Sequence, residues 1–245
     1  MIFFSKPKTN LKDLIPNNYT DIHSHLMPGI DDGAKTEEDT LFLVNELKKI
    51  GFTQFITTPH TFSGFWDNTK EGIQQKEVET KDLLLQNNIT NPFRAASEYL
   101  LDDHFLTLCK NGDVLPLKDN YVLVEMSYLN APIHLYDLLF EMQVAGYKPI
   151  LAHPERYLFY HKKFDEYKKL KNAGCSLQLN LLSTVGYYGK EVKDTAKQLL
   201  ETGLIDFVGS DVHHKKHLEA FNQKVGFKDL QALKEAIGNN QFFTL

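Results

Sequence analysis

Apolar, β-prone runs recur near residues 19–22, 53–58, 93–97, 121–124, 148–151, 176–180 and 206–209, and helix-patterned segments separate most of them. Thr36-Glu37-Glu38-Asp39 has the spacing of a capping box ahead of the amphipathic run Leu41–Ile50, which Gly51 closes. A long polar–apolar segment covers 69–87. Pro132 sits as a first-turn proline ahead of Ile133–Ala145, which Gly146 ends. Segments 162–173 and 189–202 stop at Gly174 and Gly203 in the same way. Strand–helix alternation of this kind predicts an α/β fold with a parallel sheet and right-handed crossovers. Seven such units in one domain suggest a closed barrel more than an open sheet, although periodicity does not prove closure. The predicted organisation is one domain over 19–245, preceded by a leader of residues 1–18 that packs late or not at all.

Polar residues gather where these strands end. The first strand runs into Asp21-Ile22-His23-Ser24-His25, and residues i and i+2 on an extended backbone point to the same side. Asp31-Asp32-Gly33 follows in the loop. The later strands end at His60, at Glu98, at Glu125, at His153 with Arg156 three residues on, at Asn180, and at Asp211 with His213. In parallel α/β barrels the carboxyl ends of the strands converge on one face, which carries the active site. Five histidines and four carboxylates would then share one cleft, too many ionisable groups to bury without a metal ion.

Each member has a plainer reading. A single histidine after an apolar strand is more often hydrogen-bonded structure than a ligand. Glu98 could be a helix-start charge and Asp211 an N-cap. The plainer readings fail on coincidence, because the same kind of residue ends nearly every strand. His104, His134 and His161 have no strand before them and read as surface residues, whereas His214 and His217 stay open. The loop Thr61–Asn68 carries Phe62, Phe65 and Trp66, which either contact a substrate or pack the loop onto the barrel rim.

Composition narrows the class. A chain of 245 residues suits one α/β barrel. A net charge of −5 with no Lys/Arg block argues against a nucleic-acid surface. Two cysteines make no disulfide framework, so a reducing, cytoplasmic setting is expected. No signal-peptide core and no apolar stretch of membrane-spanning length is seen, so no membrane insertion is expected. Oligomeric state is not legible.

The segments DIHSHLMPGIDDGAKT, TPH, ASEYLLDD, VLVEMS, LAHPERY, LQLN and GSDVH run from 21 to 213. In that order they resemble the PHP (polymerase and histidinol phosphatase) superfamily. More closely, they look like the PHP-type protein-tyrosine phosphatases of bacterial capsule and exopolysaccharide operons, the CpsB/YwqE type. The resemblance implies a distorted seven-stranded (β/α) barrel and a centre of two to three metal ions, with Mn, Fe or Zn suiting the mixed N/O donors. By position, His23, His25, Glu98 and Asp211 would hold one ion. Glu98 would bridge to a second with Glu125 and His153. His60 and His213 would hold the third with an aspartate of the DDG turn, Asp32 being preferred over Asp31.

Arg156, with Asp211 and His213, is assigned to catalysis by the same resemblance, Arg156 as a clamp on phosphate. Such proteins often carry a second arginine after the DxH motif. Here the chain reads HHKKHLEA, and Lys215, Lys216 or His214 are the candidate replacements. A lysine does not reproduce a bidentate fork. Substrate contacts are expected from Arg156, Lys215, Phe65 and Trp66. Four carboxylates against three divalent ions leave a formal +2, suited to a phosphomonoester dianion. The expected reaction is hydrolysis of phosphotyrosine in protein, the partner being the tail of a bacterial tyrosine kinase of polysaccharide synthesis. Cysteine-based chemistry is excluded, because Leu115 and Leu181 stand six positions after Cys109 and Cys175, where an arginine is required.

Rival readings are a small-molecule phosphoesterase of the histidinol-phosphate kind, a PHP nuclease, an amidohydrolase-type amide hydrolase, and a non-catalytic metal-binding regulator of a kinase. A nuclease would need a basic groove. The amidohydrolase pattern relies on a lysine where this chain has Glu125. Lost catalysis usually leaves a broken ligand set, which this is not.

Overall fold

The computed structural model describes residues 9–245. Nine strands are found among them: β1 (Tyr19–Asp21), β2 (Phe52–Thr57), β3 (His60–Thr61), β4 (Phe93–Ala95), β5 (Glu98–Leu100), β6 (Tyr121–Glu125), β7 (Lys148–Ala152), β8 (Ser176–Asn180) and β9 (Phe207–Gly209). All pair in parallel, in two sheets ordered β1-β2-β4 and β3-β5-β6-β7-β8-β9. The expected seven-stranded closed barrel is therefore not reproduced as a continuous ladder. Between β2 and β3 stands Pro59, which has no N–H to donate, and the ladder is interrupted there. The facing chain breaks at Ala96-Ser97, although Ala96 N–H still donates to Thr57 (2.8 Å) and Glu98 N–H to Pro59 (3.1 Å).

No ladder joins β9 to β1 either. Beyond their ends Ser24 bridges Val212, with His25 N–H donating to Val212 (3.0 Å) and Asp211 N–H to His23 (2.8 Å). Between the two short strands sits the buried Asn240. Its amide nitrogen lies 2.8 Å from the Val208 carbonyl, 3.1 Å from that of Thr20 and 2.9 Å from the Tyr19 hydroxyl. Its own carbonyl accepts from Val208 N–H at 3.1 Å. One side chain thus satisfies backbone groups that a β9–β1 ladder would have paired.

The helices are α1 (Glu37–Ile50), α2 (Lys70–Gln86), α3 (Asp103–Asn111), α4 (Leu135–Val144), α5 (Asp165–Asn172), α6 (Lys190–Glu201), α7 (Lys215–Ala220) and α8 (Gln231–Asn239). The capping box is present on α1: Thr36 Oγ1 accepts from Asp39 N–H, and Asp39 Oδ2 accepts from Thr36 N–H. The segment predicted at 133–145 starts later. Pro132 lies in a turn ahead of α4, its carbonyl accepting from Leu135 N–H (3.2 Å). Helix α3 was not anticipated, although Asp102 caps it through Phe105 N–H (2.8 Å) and Gly112 ends it in the left-handed conformation.

Of the predicted leader, residues 1–8 lie outside the described residues. Residues 9–18 do pack, so of the two expectations absent packing does not hold for them: Leu11 and Ile15 are buried, Leu11 N–H donates to Gln223 and Lys12 N–H to Phe221. The apolar pair in this otherwise polar stretch is what docks it. Deeper in, Ile22, Ile56, Leu123, Ile150 and Phe243 form one apolar cluster with inward residues from several strands. That packed floor keeps the strand ends rigid. Asn240→Ala is expected to lower unfolding stability by about 2–4 kcal/mol, since it leaves several buried backbone groups unpaired. Urea denaturation measures this, and a loss below about 0.5 kcal/mol would show that the strand gap does not need the bridge.

Candidate metal centre

The floor ends where the ionisable residues begin. His23 and His25 follow β1, are fully buried, and face the same way, as the i, i+2 spacing requires. His23 Nε2 lies 3.2 Å from Glu98 Oε2 and 3.3 Å from Asp211 Oδ1; His25 Nε2 lies 3.6 and 3.4 Å from the same two oxygens. Tetrahedral donors about 2.0–2.1 Å from one ion stand about 3.3–3.5 Å apart. None of these four atoms has a hydrogen-bond partner, although all are buried. Each of the two imidazole nitrogens stands within 3.6 Å of both carboxylate oxygens. Buried polar atoms left in that state are costly unless a cation sits among them, so the donors fit a divalent ion.

Two further groups adjoin the first. His153 Nε2 is 3.1 Å from Glu98 Oε1 and 4.0 Å from Glu125 Oε2. His60 uses both ring nitrogens: Nδ1 is 3.0 Å from Glu125 Oε1 and 3.2 Å from Glu98 Oε2, while Nε2 is 3.5 Å from Asp32 Oδ1. His213 Nε2 approaches the same Asp32 oxygen at 3.3 Å. The sets able to hold an ion are His23, His25 and Asp211; His23, Glu98 and His153; His60, Glu98 and Glu125; and His25, Asp32, His60 and His213. Every sequence-predicted donor is in one of them.

The alternative Asp31 is occupied differently. Its Oδ2 accepts from His25 Nδ1 (2.7 Å) and its Oδ1 from Gly33 N–H (2.9 Å). It orients His25 and leaves Asp32 to face the cavity. Two other imidazoles are held likewise: His23 Nδ1 donates to Gln178 Oε1 (2.8 Å), and His213 Nδ1 to the Asp211 carbonyl (2.9 Å). Each such bond places the Nε2 lone pair toward the centre. Gln178 was missed in the sequence. Its signal was a lone amide in the middle of the strand Ser176–Asn180, two residues before the conspicuous Asn180.

Backbone features make the arrangement possible. A Cβ on Gly33 would lie 2.2 Å from the His25 carbonyl oxygen, and one on Gly209 would lie 2.6 Å from His23 Cβ. His153 and Asp211 both adopt positive φ, 36° and 50°, a strained setting that concentrates at functional sites. At Asp211 this turns Oδ1 toward His23 and His25 while Oδ2 accepts from Arg156 Nη1 and Asn180 Nδ2, both at 2.8 Å.

The charges support one another. Burial pushes Glu98 up, but the His23 and His60 charges outweigh it and hold its carboxyl well below the usual range. Burial likewise opposes the charged His25, but the Asp31 carboxylate it bonds and the nearby Asp211 and Glu98 carboxylates raise it well above the usual imidazole range. Underneath, Asp21 is pushed up to about 6 by burial despite two hydrogen bonds from Ser210.

The family model for capsular polysaccharide synthesis proteins, CpsB/CapC, matches residues 19–223, which include every donor named above. The chain belongs to the CpsB/CapC family. Relatives include the tyrosine-protein phosphatase YwqE of Bacillus subtilis (strain 168), 28% identical over 197 residues that cover 80% of this chain and 78% of YwqE. The tyrosine-protein phosphatase CpsB of Streptococcus pneumoniae is 26% identical over 202 residues, covering 79% of this chain and 82% of CpsB. A solved structure from the set of B. subtilis YwqE and S. pneumoniae CpsB, described as metal-dependent tyrosine phosphatases, superposes with a TM-score of 0.77. It is 25% identical, and the match covers 92% of this chain and 88% of that one.

In this CpsB/CapC chain Asp32, His60, Glu125, His153, Asp211 and His213 line a cavity of about 490 Å³, and the buried His23, His25 and Glu98 adjoin them. Arg156 enters it with its guanidinium between two rings, 4.7 Å from the Tyr128 centroid and 4.2 Å from that of Tyr188. Stacking on both faces and the bond to Asp211 fix the fork's plane. Neither tyrosine was singled out as a partner of Arg156, because nothing in the spacing of 128, 156 and 188 announces the contact. Trp66 lines the cavity with Phe62, but the expected Phe65 does not; it is 74% exposed and lies against Phe62, ring centroids 4.7 Å apart. Lys215 is corrected too. It opens α7 in solvent, with Glu219 at 3.9 Å, and is absent from the cavity wall, where His214 and His217 stand instead. His217 is a structural residue whose Nδ1 accepts from His213 N–H (3.1 Å), and burial with the neighbouring His213 and His214 lowers it to about 3.

Gln178→Ala is expected to weaken metal binding by about 10–100-fold. Competition against a chromophoric chelator measures this. An unchanged affinity would mean that the His23 ring is oriented by something else.

Proposed function

We propose that this chain is a metal-dependent phosphatase that hydrolyses phosphotyrosine in a protein substrate. The observation that carries the reading is the clustering of the buried, unpartnered atoms of His23, His25, His60, Glu98 and Asp211 next to the cavity that His60, Asp211 and Arg156 line. Relatives of the same family are named tyrosine-protein phosphatases. His23, His25, Glu98 and Asp211 would hold one ion; Glu98, Glu125 and His153 a second; Asp32, His60 and His213 a third. Mn, Fe or Zn would suit these donors. Once β2 is merged with β3 and β4 with β5, seven parallel strand lines remain, and the Ser24–Val212 bridge supports reading them as a distorted barrel that spans 19–245.

Bound ions supply Lewis acidity and a water acidic enough to attack phosphorus near neutral pH. The chain's own residues do the rest. Arg156 is planar, always protonated and pre-aligned by Tyr128 and Tyr188, so it can bind two phosphate oxygens at little entropic cost. As charge grows on those oxygens, the fixed guanidinium binds them more tightly, which lowers the barrier. Asp211 and Asn180 keep that guanidinium in place. A phenolate leaves with less proton assistance than an alkoxide, because its pKa is about 10, and this favours phosphotyrosine. Phe62 and Trp66 offer apolar walls for its ring.

The partner would be a bacterial tyrosine kinase of polysaccharide synthesis, and the reaction would take place in the cytoplasm. No helix among the described residues is long and apolar enough to cross a membrane, and Cys109 and Cys175 are both free thiols.

The metal-loaded chain is expected to hydrolyse p-nitrophenyl phosphate and to prefer phosphotyrosyl over phosphoseryl peptides by at least about tenfold in kcat/KM. Exhaustive chelation should abolish both activities, and full activity without metal would sink the mechanism. His23→Ala should lose turnover and metal together. Arg156→Ala should lower turnover by about 10²–10³ while metal content stays near wild type, because Asn180 still holds Asp211. Elemental analysis beside steady-state kinetics separates the two outcomes.

A further inference from the structure

An apolar ridge leads away from the cavity mouth. Leu129 lines the cavity yet is 87% exposed. Four residues on, Ile133 is 93% exposed, and Phe140 on α4 is 63% exposed. Helix α4 buries Leu135, Leu138, Leu139 and Met142 and turns Tyr136, Phe140 and Val144, at i, i+4 and i+8, to solvent. Large apolar side chains this exposed and this close in sequence mark a surface that another molecule covers. Because α4 follows β6, whose end supplies Glu125, the ridge starts at the site and runs down the flank of the fold.

What covers it is constrained by the site. A phosphotyrosine whose phosphate reaches the donors leaves its own backbone at the mouth, so its neighbours in the chain meet the lining residues there, of which Leu129 is 87% exposed. Charge then decides which neighbours fit. Among the described residues Arg156 is the lone lysine or arginine lining the cavity and is already paired with Asp211. Asp32 and Glu125 share the lining and would be matched by the bound ions, while on α4 Glu141 pairs with Lys110 (3.3 Å) and Asp137 lies 3.6 Å from His134. Acidic residues beside the phosphotyrosine would therefore find no unpaired lysine or arginine in the lining. Apolar residues would meet Leu129 and Ile133.

We propose that the substrate protein docks through apolar side chains flanking its phosphotyrosine, on the ridge formed by Leu129, Ile133 and the outward face of α4. This rests on the phosphotyrosine reading above. A flanking segment that buries Leu129 and Ile133 adds binding that p-nitrophenyl phosphate, too short to leave the cavity, does not share. The ridge therefore acts on KM for a polypeptide and not on the chemistry.

The test uses the metal-loaded full chain, with phosphotyrosyl peptides flanked by Leu and Ile, by Asp and Glu, or by Lys and Arg. The apolar-flanked peptide is expected to have the lowest KM. Ile133→Asp and Phe140→Asp, both at exposed positions, should raise that KM about tenfold, leaving p-nitrophenyl phosphate turnover and the thermal midpoint unchanged. Equal KM for the three peptides, or a lowest KM for a charged one, would overturn the docking assignment while leaving the phosphatase reading intact. So would sedimentation showing a wild-type dimer that Ile133→Asp dissociates, because the ridge would then belong to a second copy of the chain. Failure to hydrolyse any peptide or p-nitrophenyl phosphate would instead remove the phosphatase reading and the docking proposal with it.

Discussion

Everything above the apolar floor is arranged around Glu98. This carboxylate is fully buried, and imidazole nitrogens of His23, His25, His60 and His153 lie within 3.6 Å of its oxygens. A carboxylate so placed is strongly unfavourable by itself, and four imidazoles packed together are too. Neither set is tolerable without the other, and even together they leave donor atoms unpartnered. A cluster of this kind can exist only on rigid supports, and a divalent cation at its centre resolves the remaining imbalance. Fold, orientation and chemistry all follow from that requirement.

The supports come from several levels of the structure. Parallel pairing sets Glu98 opposite His60 and, one strand further, opposite Leu123, just before Glu125. Gly33 and Gly209 permit approaches that any Cβ would block. Gln178, Asp31 and the Asp211 carbonyl hold ring nitrogens on the far side of three histidines, and Asn180 shares Asp211 with Arg156. Asp211 is where the two halves of the site meet, because one oxygen faces His23 and His25 while the other holds the arginine. A substitution there would disturb the proposed metal and phosphate sites together, whereas changes at His23 or Arg156 would touch one of them.

Much of this was legible in the chain. Strand-end histidines and carboxylates are visible because a two-residue period and a strand–helix alternation are local properties, and all nine preferred donors are brought together in the fold. Capping signals locate the helices to within a few residues, although Pro132 marks the turn before α4 and not its first turn. Other features were not legible. Residues 1–18 carry little periodicity, and nothing local shows that Leu11 and Ile15 are buried against the rest of the fold. Lys215 looked like a substitute for a missing arginine, but at the start of α7 it is turned to solvent, away from the cavity wall.

Sequence alone determined the residue types and their order: which side chains can carry protons or metal, and that successive strands would present them on one face. Those properties depend on spacing along the backbone, which the chain itself specifies. Tertiary structure alone decided which oxygen of Asp211 faces inward, that Asp31 orients while Asp32 points into the cavity, that Tyr128 and Tyr188 grip Arg156, and that Asn240 spans the gap between β9 and β1. Most of these are contacts between residues far apart in the chain, set by strand register, backbone twist and the volume left by neighbouring side chains. No local pattern encodes those quantities.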